Sequence, residues 1–183
     1  VSMHRFHFPI VIIDEDYRSE NTSGLGIRAL AQAIEKEGFE VLGVTSYGDL
    51  SQFAQQQSRA SAFILSIDDE EFLGGPEIDP VVVNLRRFVE EIRFKNADIP
   101  IYIYGETRTS EHLPNDVLRE LHGFIHMFED TPEFVARHII REAKSYMDGL
   151  APPFFRALVD YAQDGSYSWH CPGHSGGVAF LKS

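Results

Sequence analysis

Blocks of apolar residues punctuate this chain, and the period within them switches between that of a strand and that of a helix. FPIVIID (8–14) is a short run rich in β-branched residues, opened by Pro9 and closed by Asp14-Glu15-Asp16. An unbroken apolar run of this length predicts a strand buried on both faces. Ile27, Leu30, Ala31 and Ile34 then recur at helical spacing until Gly38 stops the pattern. The unit repeats. FEVLGVT (39–45) predicts a second strand, residues 47–59 a polar helix, and AFILSI (62–67) a third strand, apolar until Asp68. A longer helix carries Val81, Leu85, Phe88 and Ile92 on one face. IYIYG (101–105) reads as strand four, residues 115–121 as a short helix and GFIHMF (123–128) as strand five.

Strands alternating with helices predict a parallel sheet covered on both faces, because right-handed crossovers place helices on each side. The expected fold is α/β: a five-stranded, doubly wound, parallel sheet of flavodoxin-like or receiver-like type, followed by a helical linker arm. The last helix of the sheet region starts at Asp130-Thr131-Pro132-Glu133, a capping side chain before a proline at the first helical position, with Val135, Ile139, Ala143 and Tyr146 on its buried side and Gly149 as its stop. Pro152-Pro153 break the chain direction. A second amphipathic helix follows, with Phe155, Leu158, Val159 and Ala162, ended by Asp164-Gly165. The expected division is a wing domain over 1–130, a helical linker over 131–165 and the start of a further domain over 166–183. Residues 69–80, with acids, Gly74, Gly75 and two prolines, predict a long surface loop.

Composition narrows the function. Sixteen basic against twenty-eight acidic residues leave a formal charge of -12, which repels phosphate backbones and anionic lipid, so no nucleic-acid partner is expected. A single cysteine makes no internal disulfide, no apolar run reaches the roughly 20 residues of a membrane span, and VSMHRFHFPI lacks the apolar centre of a secretory signal. No membrane association and a cytoplasmic location are the expectations.

Ligands of doubly wound folds sit at the carboxyl ends of the strands. Asp14, Asp16, Asp68, Asp69 and Thr107 fall there, which fits a receiver-type phosphoacceptor with a divalent ion; the alternative is a solvated acidic rim. Phosphoacceptor chemistry also wants a lysine after strand five, where this chain has His126-Met127-Phe128-Glu129-Asp130. Gly24-Leu25-Gly26-Ile27-Arg28-Ala29 matches a dinucleotide pattern, yet a long loop replaces the tight turn that pattern needs. His170, Cys171 and His174 provide three zinc-ligand types where a structural site takes four, and His122 and His126 would lie about 13 Å apart along a strand. No metal site is expected. A Cys171 nucleophile would need an oriented base, for which His170 and His174 are the nearby candidates.

SYSWHCPGHSGGVAF (166–180) is more informative through its glycines. Pro172-Gly173 and Gly176-Gly177 let backbone turn sharply and lie close to another surface, while Tyr167, Trp169, Val178 and Phe180 supply apolar area that a short tail cannot bury on itself. The segment reads as a docking element for a further domain or subunit.

Here the chain resembles a known family. LAPPFFRALVDYA (150–162) followed by YSWHCPGHSGGVAFLKS (167–183) is similar to the junction of bacterial arginine/lysine/ornithine decarboxylases, and FEDTPEFVARHIIREAKSY (128–146) with the alternation before it resembles that family's N-terminal wing. The resemblance implies a parent enzyme that binds pyridoxal phosphate through a lysine in a fold-type-I domain and decarboxylates a basic amino acid. It implies homo-oligomers in which wings and linkers join dimers into rings. Phe154, Phe155, Tyr167, Trp169, His170, Pro172, Gly173, His174, Gly176, Gly177 and Phe180 become the expected interface residues. Neither Lys144 nor Lys182 has the family's Ser-x-His-Lys setting, so no cofactor or catalytic residue carries over to this stretch. A guanosine tetraphosphate regulator known in some members finds no matching basic cluster. The competing expectation is a receiver-like signalling domain with an interaction arm.

Overall fold

A computed structural model describes residues 8–46, 60–67 and 80–150. Five strands, β1 (Ile10–Ile13), β2 (Val41–Val44), β3 (Ala62–Ser66), β4 (Ile101–Gly105) and β5 (Gly123–His126), form one sheet in the order β2-β1-β3-β4-β5. Every pairing is parallel, with Ile10 facing Val41 on one side and Ala62 on the other. This is the doubly wound α/β fold that the alternation predicts.

The helices are α1 (Thr22–Lys36), α2 (Pro80–Lys95), α3 (Thr107–His112), α4 (Asn115–Glu120) and α5 (Pro132–Leu150). Side chains alternate across each strand, so β1 serves two cores at once. Ile10 and Ile12 pack with Ile27, Leu30 and Ile34 of α1 and with Ala136, Ile139 and Ala143 of α5. Val11 and Ile13 pack on the opposite face with Leu85, Phe88 and Ile92 of α2 and Val117 of α4. Burying an aliphatic side chain of this size stabilises by about 1.5–3 kcal/mol, which is why the unbroken apolar run of β1 takes an interior position, between β2 and β3. The boundary expected at residue 130 falls just before α5, whose buried face belongs to the same core as α1.

Several boundaries differ from the expected ones. Strand two is confined to 41–44 and strand five to 123–126, where the Asp130 carboxylate accepts a hydrogen bond from the His126 amide at 2.8 Å and turns the chain. The short α3 was not legible in TRTSEH, which has no apolar stripe. Gly149 does not end the last helix, which continues through it to Leu150. A glycine stops a helix by adopting positive φ, and Gly38, at 95°, is the only described residue that does so. The segments 47–59, 68–79 and 151–183 lie outside the described residues, and with them the expected polar helix, Asp68, Asp69 and the second amphipathic helix.

Candidate functional site

Chain continuing beyond the carboxyl ends of the strands encloses a cavity of about 610 Å³. Its walls come from the ends of all five strands: Asp14 after β1, Thr45 and Ser46 after β2, Ser66 of β3, Glu106 after β4, and Met127 and Phe128 after β5. The start of α1 and Val81 and Asn84 of α2 complete it. A parallel sheet makes such a crevice because every strand delivers its following loop to the same edge.

Asp14 continues the inward parity of Ile10 and Ile12 and is 4% exposed. Its Oδ1 accepts the Asp16 amide at 2.7 Å, closing a turn that starts the loop. Its Oδ2 is buried and has no hydrogen-bond partner among the described residues. Burial raises the Asp14 pKa above the ordinary carboxyl value; the Asp16 amide and the neighbouring Ser66 hydroxyl pull the other way, and the charges of Asp16 and Glu15 add to the rise. Tyr104, on the next strand but one, is pushed up to about 12 by burial and secondarily by Asp14.

The loop from Asp14 to Asn21 is held by its own polar groups. Asn21 caps α1, accepting the Gly24 amide at 2.8 Å, while its amide nitrogen donates to Asp16 Oδ1 at 2.9 Å. Arg28 reaches back from α1 and donates to the carbonyls of Tyr17 and Ser19 at 2.9 and 2.6 Å. The Tyr17 ring lies across Gly43 of β2, where an added Cβ would stand 2.0 Å from it. Gly24 and Gly26 therefore serve packing: a Cβ on Gly24 would meet the carbonyl oxygens of Ser19 and Asp16 at 2.3 and 2.4 Å, and one on Gly26 would meet the Tyr104 hydroxyl at 2.8 Å. Backbone already fills the space that a pyrophosphate would need.

Of the acids expected at the strand ends, Asp14 and Asp16 come together in the cavity wall with Glu15, and Thr107 opens α3. The solvated-rim expectation holds for the exposed Glu15 and fails for Asp14, because strand parity turns Asp14 inward. Ser66, Asn84 and Glu106 were not expected; Ser66 and Glu106 were detectable as polar residues at the ends of apolar strands. His122 stands just before β5 and His126 closes it. The eleven docking residues from Phe154 to Phe180, with Cys171, lie outside the described residues. Among the described residues no three His, Cys, Asp or Glu side chains converge on a point that would hold a metal ion, and no helix is long and apolar enough to cross a membrane.

Two family models cover the chain in succession: Orn/Lys/Arg decarboxylase N-terminal domain over residues 22–146, and the major domain of the same enzymes over 152–183. The chain belongs to the Orn/Lys/Arg decarboxylase family. It is 33% identical over 179 residues to the lysine decarboxylase LdcA of Pseudomonas aeruginosa, covering 96% of this chain and 23% of that protein. It is 25% identical over 176 residues to the biodegradative arginine decarboxylase of Escherichia coli, covering 95% and 22%. The chain thus spans about a quarter of the length of these curated relatives. The solved lysine decarboxylase A of Pseudomonas aeruginosa superposes on 98% of this chain and 24% of its own, with a TM-score of 0.72 and 32% identity. A response regulator receiver domain from Clostridium thermocellum superposes on 75% of this chain and 94% of its own, at a TM-score of 0.52 and 12% identity, which establishes a shared fold alone.

Proposed function

We propose that this chain is the wing and linker of a pyridoxal-phosphate-dependent decarboxylase of arginine, lysine or ornithine, that it serves assembly of the enzyme into homo-oligomers, and that it is catalytically silent by itself. The observation that carries the reading is the succession of the two family matches, N-terminal domain over 22–146 and then major domain from 152, on one chain. The cytoplasm is the proposed location.

The described residues support the silent role. Pyridoxal phosphate does not fit the cavity at the strand ends: its phosphate would face Asp14, Glu15, Asp16 and Glu106, and no lysine or arginine lines the described wall. Lys144 stands 6.0 Å from the Phe39 ring centroid, committed to packing on α5. The cofactor chemistry is therefore assigned to the remainder of the parent enzyme. Assembly is assigned to the aromatic and glycine-rich residues from Phe154 to Phe180, where apolar area and tight turns suit a buried junction.

Carbon dioxide release from arginine, lysine and ornithine, with pyridoxal phosphate supplied, tests this. The chain alone is expected to give none, and the same chain continued through a complete major domain is expected to release it from at least one substrate. Turnover by the chain alone, or a parent enzyme inactive on all three, overturns the reading. Replacing Trp169 and Phe180 by alanine in the parent is expected to shift its mass in solution toward smaller assemblies.

A further inference from the structure

The cavity at the carboxyl edge combines two features that solubility does not explain. Four of its carboxylates, Asp14, Glu15, Asp16 and Glu106, face a space with no basic side chain in the described wall. One of them, Asp14, is buried to 4% exposure with an unpartnered Oδ2. A buried carboxylate oxygen without a partner is costly unless a cation or donor reaches it.

The wall indicates which cation. A metal ion is disfavoured, because no three ligating side chains converge among the described residues. A zwitterionic amino acid would set its own carboxylate against four others, and the one region of opposite polarity, the start of α1, is already capped by Asn21. Ile67, Val81, Met127 and Phe128 give the same cavity an apolar side. Carboxylates beside an apolar strip suit a flexible hydrocarbon chain with a positive charge at each end.

We propose that the cavity binds a short aliphatic diamine, one ammonium group at Asp14 beside the Ser66 hydroxyl, the other at the rim carboxylates, and the methylene chain along Val81, Met127 and Phe128. Such a molecule is what decarboxylation of lysine or ornithine leaves. That link to the product rests on the proposed function; the binding itself does not.

Calorimetric titration of the chain with 1,5-diaminopentane at neutral pH and low ionic strength tests it. Saturable binding at one equivalent is expected, weakened about tenfold or more in Asp14→Asn, which keeps the acceptor for the Asp16 amide while losing the charge. Glu106→Gln, a half-buried rim position, is expected to weaken it about threefold, and stands in if the Asp14 variant fails to fold. 1-Aminopentane and free lysine are expected to bind at least about tenfold more weakly. Absence of saturable heat, affinity unchanged in both variants, or equal affinity for free lysine or magnesium overturns the proposal. None of these outcomes bears on whether the parent enzyme decarboxylates, which carbon dioxide release measures separately.

Discussion

The two ends of the sheet solve the same problem in opposite ways. At the amino end, Ser61 is fully buried, yet its amide donates to the Pro9 carbonyl at 3.0 Å and its hydroxyl to the Phe8 carbonyl at 3.0 Å. Phe8 and Met147 seal that end, and Arg93 donates to the Ile99 carbonyl at 2.6 Å where the chain enters β4. At the carboxyl end, Asp14 is almost as buried, and its Oδ2, itself shielded from solvent, has no hydrogen-bond partner among the described residues where the residue meets the cavity. A satisfied buried polar group holds neighbouring strands in place; an unsatisfied one is a standing destabilisation kept in reach of a ligand. At these two residues the contrast supports the recognition proposed for the carboxyl edge, while in β4 the buried Tyr102 hydroxyl is likewise without a hydrogen-bond partner among the described residues.

The largest effect expected is at Gly24. Alanine there gains helix propensity but drives a Cβ into two backbone carbonyls at 2.3 and 2.4 Å, and backbone cannot swing aside as a side-chain tip can. Gly24→Ala is expected to cost about 3 kcal/mol in denaturant unfolding and to loosen the Asp14–Asn21 loop. A neutral result would mean that the loop is not packed on α1 as described, and that the carboxyl edge is far softer than the amino edge.

Polar substitutions at the two ends should differ in sign. Ser61→Ala removes the hydroxyl's hydrogen bond to the Phe8 carbonyl and is expected to cost about 1 kcal/mol at every pH where the protein folds. Asp14→Asn is expected to stabilise at neutral pH, because it removes a buried charge and keeps an oxygen for the Asp16 amide. The pH dependence follows from the raised Asp14 pKa. The folded carboxyl holds its proton more tightly than the unfolded one, so the wild-type chain loses stability as pH rises from the unfolded value of 3.8 through the higher folded value, and then levels off. The advantage of Asp14→Asn should grow over that window and vanish below it. A variant advantage that instead grew toward acid would show Asp14 to be paired in the folded state.

How much of this was legible in the chain depends on what each residue's neighbours already decide. The apolar runs at β1, β3 and β4 read as strands covered on both faces because they are too short for helices and are bounded by polar or turn residues. Asp14, Glu15 and Asp16 looked alike because a run of acids after a strand is normally a solvated turn. Which of them faces inward depends on the strand parity carried past Ile12, and the depth of burial depends on α1 folding back over the loop, a tertiary event anchored by Arg28 on the carbonyl of Tyr17, eleven residues before it. Ser66 gave the same parity signal after Ala62 and Ile64, in a residue type too common at strand ends to be singled out. The docking expected of residues 154–180 rests on turns, aromatic rings and a family resemblance, and those residues lie outside the described ones.

Gly149 sharpens the comparison with the smallest effect. It lies near the amino edge, two residues beyond Met147, in helical backbone with nothing within 4 Å of where a Cβ would stand. Nothing there calls for glycine: φ is not positive, and no neighbour approaches as Ser19 and Asp16 approach Gly24. The residue only widens the freedom the unfolded chain must lose. Gly149→Ala is therefore expected to stabilise by up to about 1 kcal/mol, raising the unfolding midpoint while leaving diamine binding at the other edge unchanged. Loss of stability would mean that chain following α5 packs against this position, and the helix would then serve as a docking face as well as a cover for the sheet.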